Sequence, residues 1–133
     1  MNKIIIIEDD IAICNMIKKF LENNKYSVQY ALNGIEGIHL CKSFVPDLII
    51  LDIMLPGLNG DDVLQKLRKF TNAPVIVVSA KTMVQTKIEL LKMGADDYMT
   101  KPFDLYELLA RIEANLKRTV DNPYQNNNTL VYN

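Results

Sequence analysis

Histidine is nearly absent from this 133-residue chain, with His39 the only one. Cysteine occurs twice, at Cys14 and Cys41, with neither a CxxC spacing nor a histidine beside it. These shortages exclude zinc centres built on Cys and His, and nucleophilic triads that need a His base. Both thiols read as small buried hydrophobes of a reducing compartment. Long apolar runs are missing too. The runs at 4–7, 48–51 and 75–78 stop at four residues, against the ~20 needed to span a bilayer. Neither sign of charge dominates: 15 Lys+Arg face 16 Asp+Glu, a formal charge of -1. That balance gives no general drive toward nucleic acid or an anionic membrane. The N-terminus reaches Glu8, Asp9 and Asp10 at once, without the length or cleavage site of a signal peptide. The expected location is therefore cytoplasmic, with no membrane partner.

What is present is a regular alternation. Residues 3–8, 47–52 and 73–79 are dense in Ile, Val and Leu without polar alternation, as strands buried on both faces of a parallel sheet are. Residues 26–31 and 97–100 are shorter and more polar, which places them nearer the sheet edges. Between them run helical stripes. Ile13, Met16, Ile17, Phe20 and Leu21 fall at helical spacing, as do Leu105, Leu108, Leu109, Ile112 and Leu116. Val63, Leu64 and Leu67, then Val84, Ile88 and Leu91, give shorter versions. A further helix is expected from Asn33 to Phe44, weakened by Gly34 and Gly37. Five β/α units with short connections call for an α/β fold, an open doubly wound parallel sheet covered by helices on both faces.

In such a sheet, ligands bind outside the carboxyl ends of the strands. The first strand ends in Glu8 and Asp9, the third in Asp52 and the fourth in Ser79, while Lys101 follows the fifth. Clustered carboxylates repel one another unless a cation joins them, and a hard divalent cation such as Mg2+ suits oxygen ligands. A carboxylate at the centre of this rim, Asp52, can attack phosphorus, and Ser79 and Lys101 can hold phosphoryl oxygens. Singly, each residue has a plainer role: Asp9 or Asp10 as a helix N-cap, Ser79 as a strand end, Lys101 as a surface lysine. Five such groups at one end of one sheet favour the chemical reading.

These residues also carry a resemblance. Ile-Glu-Asp-Asp at 7–10, Leu-Asp-Ile-Met-Leu-Pro-Gly at 51–57, Val-Ser-Ala at 78–80 and Thr-Lys-Pro-Phe at 100–103 resemble, in order, the receiver domain of two-component response regulators. The resemblance implies a flavodoxin-like sheet of five parallel strands in the order 2-1-3-4-5 with five helices. It implies that Asp52 accepts phosphate from a sensor histidine kinase. Mg2+ would be held by Asp9, Asp52 and the backbone carbonyl of Met54, with Glu8 assisting through water. Ser79 and Lys101 would contact phosphoryl oxygens, the bond before Pro102 would be cis, and Ser79 and Tyr98 would form the switch. In that switch Ser79 moves toward the phosphoryl group and Tyr98 turns inward. Glu8 stands where many receivers have Asp, and Ser79 where many have Thr, each keeping the required oxygen. Met54 and Lys81 occupy positions that vary within the family.

Gly-Ala-Asp-Asp-Tyr at 94–98 and Glu107-Leu-Leu-Ala-Arg111 resemble the winged-helix OmpR/PhoB subfamily of transcription regulators. That likeness implies a homodimer, formed on phosphorylation, through the face of the fourth helix, fifth strand and fifth helix. The matching charged partners are Lys87 with Glu107, Asp97 with Arg111, and Asp96 with Arg118. Glu107 and Arg111, four residues apart, could equally pair on one helix.

The expected organisation is a receiver over 1–119, then a polar linker and the opening of a further domain over 120–133. Thr129-Leu-Val-Tyr resembles the start of a strand there, and DNA would be reached only through a missing C-terminal domain. His39 reads as packing or surface, and Met16, Met83, Met93 and Met99 as core or rim filling. The expectation is a signalling module rather than a turnover enzyme. Three alternatives differ from it: a stand-alone receiver, a Mg2+-dependent aspartyl phosphohydrolase, and a flavin- or nucleotide-binding module. The hydrolase would usually carry an acid two residues after its nucleophile, where Met54 stands. The nucleotide binder would need a glycine-rich loop after the first strand, where three acids stand.

Overall fold

The computed structural model describes residues 1–80 and 84–121. Lys81, Met83, the side chain of Val84 and nearly all of the expected linker, with its Thr129-Leu-Val-Tyr segment, lie outside the described residues. Five strands form one sheet: β1 (Lys3–Ile7), β2 (Ser27–Ala31), β3 (Leu48–Asp52), β4 (Val75–Ser79) and β5 (Asp97–Thr100). They are all parallel and run in the order β2-β1-β3-β4-β5. Five helices connect and follow them: α1 (Ile11–Asn23), α2 (Gly34–Phe44), α3 (Gly60–Leu67), α4 (Val84–Lys92) and α5 (Leu105–Asp121). The doubly wound, flavodoxin-like architecture is the expected one. No helix among the described residues is long and apolar enough to cross a membrane.

The unalternating apolar runs are explained by a core on each face. Successive strand residues point to opposite sides. Ile4, Ile6, Leu48, Ile50, Ile76 and Val78 pack with Cys14, Ile17 and Leu21 of α1 and Leu108 and Ile112 of α5. Ile5, Ile7, Ile49, Leu51, Val75 and Val77 pack with Cys41 of α2, Val63, Leu64 and Leu67 of α3 and Leu90 of α4. Both cysteines are buried, and burial pushes each thiol pKa up to about 12. They are inert core residues. His39 is exposed, as is Met16, whereas Met99 is core.

Two helices differ from the expected stripes. Among the described side chains of α4 the core residue is Leu90, while Ile88 and Leu91 stay 40% and 41% exposed. A short helix on the sheet margin buries one row, and the neighbouring row is left facing outward. In α2 the two glycines that weaken the helix make its packing possible. A Cβ on Gly37 would stand 2.6 Å from Ile7 Cδ1, and one on Gly34 would stand 2.6 Å from Val63 Cγ2. The chain accepts a lower helix propensity there to seat α2 close to β1 and α3.

Candidate phosphoryl-acceptor site

Parallel strands in this order bring the carboxyl ends of β1, β3 and β4 side by side at the centre of the sheet. Asp52 is the last residue of β3 and Ser79 the last of β4, with Asp52 paired to Val78 in the ladder. Glu8 follows β1 directly, its backbone N–H donating to the Ala31 carbonyl at 3.1 Å. Lys101 follows β5, anchored by its N–H to the Ser79 carbonyl at 2.8 Å. The Lys101–Pro102 bond is cis. The five residues read at the strand ends therefore share one rim.

Within that rim Glu8 and Asp52 are each 4% exposed and Ser79 is fully buried, whereas Asp9 is exposed. The Lys101 ammonium donates to Glu8 Oε1 at 2.7 Å and to Asp52 Oδ2 at 3.2 Å. The other Asp52 oxygen accepts the Met54 backbone N–H at 3.0 Å, and Glu8 Oε2 accepts the Asp10 N–H at 3.1 Å. Asp10, not Asp9, is the cap of α1: its Oδ1 accepts the N–H groups of Ala12 and Ile13 at 2.9 and 3.2 Å. That capping leaves Asp9 for the rim.

One ammonium cannot balance three carboxylates. Burial, opposed by the Lys101 hydrogen bond and aided by the Asp52 charge, raises the Glu8 pKa to about 7. Burial also works against the Lys101 ammonium, yet Glu8 and Asp52 outweigh it and hold its pKa above the ordinary value. One carboxylate oxygen from each of Glu8, Asp9 and Asp52 lies within 4.8 Å of the other two. This is a hard-oxygen, anion-rich donor set that fits a divalent cation such as Mg2+.

The structure distributes the remaining candidates less uniformly. Tyr98 is 6% exposed. Lys87, Tyr98, Glu107 and Arg111 line one cavity of about 330 Å3 beside β5 and α5. Arg111 bonds Asp97 and Glu107 of its own chain. Asp96, expected opposite Arg118 of a second copy, is engaged within its own chain. Its Oδ2 accepts from Arg68 Nη2 at 2.8 Å and from the Val75 N–H at 2.9 Å.

Two residues that organise this half of the molecule were missed in the sequence. Arg68 caps the carbonyls of Gly94, Thr71 and Ala73 as well as Asp96, and nothing in its local pattern signals that. Asn115 is buried between Asp97 and Arg118. Its signal was available: it lies three residues beyond Ile112 and seven beyond Leu108, on the apolar stripe of α5.

The family model for the response regulator receiver domain matches residues 4–113. The chain is 46% identical over 122 residues to the DNA-binding dual master transcriptional regulator RpaA of Synechocystis sp., covering 90% of this chain and 51% of that protein. It is 42% identical over 118 residues to the response regulator ArlR of Staphylococcus saprophyticus, covering 89% and 54%. The chain thus spans about half the length of the curated relatives it matches. Among solved structures, the receiver domain of the Francisella response regulator 1452 superposes with a TM-score of 0.85 at 40% identity, covering 90% of this chain and 99% of that one.

Proposed function

The chain belongs to the response regulator receiver family, and from that premise we propose that Asp52 is its phospho-acceptor, charged by a sensor histidine kinase. The observation that carries this reading is the pairing of a nearly buried Asp52 with Lys101 at 3.2 Å inside the carboxylate cluster. Asp52 Oδ attacks phosphorus as the bond to the kinase imidazole breaks. The Lys101 ammonium, now shared between Glu8 and Asp52, neutralises charge on the transferred phosphoryl oxygens, and Ser79 donates its hydroxyl to one of them. Asp9, Asp52 and the Met54 carbonyl would hold Mg2+, with Glu8 assisting through water. Bound there, the cation would offset the charge of the carboxylates and the incoming phosphoryl group.

The product of this chemistry is a changed surface. Ser79 is drawn toward the phosphoryl group, Tyr98 turns inward, and the α4-β5-α5 face is biased toward self-association. The exposed Ile88 and Leu91 of α4 supply apolar area, and Lys87, Glu107, Asp96, Asp97, Arg111 and Arg118 supply the charges. The resemblance to winged-helix transcription regulators supports a DNA-binding domain as the output, joined through the segment beginning near residue 120 and working in the cytoplasm.

Intact-mass spectrometry after incubation with Mg2+ and acetyl phosphate tests the reading. The expected result is one phosphoryl adduct in the wild type, none without metal and none in Asp52→Asn. An equal adduct on Asp52→Asn would remove Asp52 as the acceptor. Steady phosphate release from small phosphoesters would favour the hydrolase.

A further inference from the structure

The α5 side of the proposed dimer face is already fully engaged within one chain. Asp97 Oδ1 accepts from Arg111 Nη1 at 2.6 Å and from the Tyr98 N–H at 2.9 Å, and its Oδ2 accepts from Asn115 Nδ2 at 3.3 Å. Arg111 also reaches Glu107 Oε2 through Nε and Nη2 at 3.3 and 3.1 Å. Asn115, only 2% exposed, uses both ends of its amide. Nδ2 donates to the Arg111 carbonyl at 2.8 Å as well as to Asp97, and Oδ1 accepts from Arg118 Nη2. A single buried amide thus ties a carboxylate of β5 to two arginine positions of α5.

We infer that Asn115 opposes self-association through the α4-β5-α5 face by holding Asp97 and Arg118 in bonds within one chain that a second copy must displace. This rests on the dimer face proposed above and names what regulates it. In a two-fold dimer through this face, the Asp97–Arg111 pair within a chain is exchanged for its twin between chains. The same groups meet at the same charge, so that exchange is close to neutral. The Asn115 bonds have no counterpart across the interface. They are lost when Asp97 and Arg118 turn outward: Nδ2 keeps only the Arg111 carbonyl, and a buried Oδ1 left without its donor is costly. The threshold for association is therefore set by Asn115 against the apolar contribution of Ile88 and Leu91.

Asn115→Leu tests this directly. Leucine has the same branched outline in a somewhat larger volume, continues the stripe of Leu108 and Ile112, and can neither donate nor accept. Sedimentation equilibrium of wild type and variant, without phosphodonor, should show the variant's dimer dissociation constant lowered about tenfold to a hundredfold, the worth of one net hydrogen bond in each of the two protomers. Phosphorylation should then shift the variant less than the wild type. Arg111→Glu in the Asn115→Leu background should cancel the gain, which assigns it to this face.

A folded Asn115→Leu that associates no more tightly than wild type overturns the inference, as does a gain that survives Arg111→Glu. Should Asn115→Leu lose cooperative melting, Asn115→Ala decides by the same readout. Adduct formation at Asp52 in the same samples reports separately on the receiver reading. A wild type that forms the adduct and dimerises on phosphorylation, beside an unshifted Asn115→Leu, sinks the role of Asn115 alone.

Discussion

Glu8 is a carboxyl whose proton is held by its surroundings: it is buried, beside a second buried acid, with one shared ammonium as relief. Its pKa near 7 in the fold against about 4.5 in the unfolded chain fixes the sign of a stability trend. Below about pH 4.5 both states carry the proton and Glu8 contributes no penalty. As pH rises from about 4.5 to about 7 the unfolded chain loses its proton first, so the metal-free fold is progressively destabilised, and the penalty levels off above that window. Thermal melts of wild type and Glu8→Gln across this range should show the wild type losing ground to the variant as pH increases. Mg2+ among the carboxylates favours ionised Glu8 and should shrink that loss. An unchanged difference across the window, in metal-free protein, would show that Glu8 does not carry the trend. Glu8 as a rim acid was legible in the sequence. Its raised pKa was not, because burial depends on what the fold places around it.

Elements pack here through close approaches that only glycine permits. A Cβ on Gly60 would lie 2.4 Å from Ile53 Cα and 2.8 Å from the Asp52 carbonyl oxygen, both backbone atoms that cannot rotate away. A Cβ on Gly37 would meet only side-chain atoms of Ile7, the nearest at 2.6 Å. Alanine gains about 0.5–1 kcal/mol over glycine inside a helix, while overpacking costs about 1–3 kcal/mol. Gly37→Ala should therefore be mildly destabilising and leave Asp52 phosphorylation intact. Gly60→Ala should cost about 3 kcal/mol or more and slow adduct formation, since it displaces the β3–α3 connection that carries Met54. Equal denaturation midpoints for the two variants would show that the backbone at Ile53 yields as easily as the Ile7 side chain. The helices themselves were readable from their stripes. The outward Ile88 and Leu91 were not, because periodicity finds an apolar face without saying which row meets the sheet.

The whole molecule separates chemistry from bracing along the strands. Asp52, Ser79, Glu8 and Lys101 gather at the carboxyl ends. Arg68 and Asp96 meet at the opposite end, where β4 and β5 begin. Burial works against the Arg68 guanidinium, and the Asp96 charge opposes that loss. Arg68→Met removes a donor shared by three carbonyls and one carboxylate, and bonds to charged groups are worth about 1.5–3 kcal/mol. Its stability in urea should fall by about that amount, with Asp52 still accepting phosphate from acetyl phosphate once the protein is folded. Loss of the adduct in folded Arg68→Met would show the two ends to be coupled.

Three apolar runs, two more polar strand segments, the stripes between them and the polar groups at the strand ends were enough to give an α/β sheet and a carboxylate rim, because buried parallel strands and amphipathic helices leave periodic marks on a linear chain. Asp52, Asp9, Lys101 and Ser79 followed from that pattern and from the motifs around them. Tertiary structure alone decided which acid caps α1, that Tyr98 is buried, and that Asp96 accepts from Arg68 within the chain. It also decided that Asn115 binds Asp97 and Arg118 from beneath the surface. These are contacts between residues distant in the chain or on different faces of one helix. Their energies depend on burial and direction, which have no counterpart in sequence order.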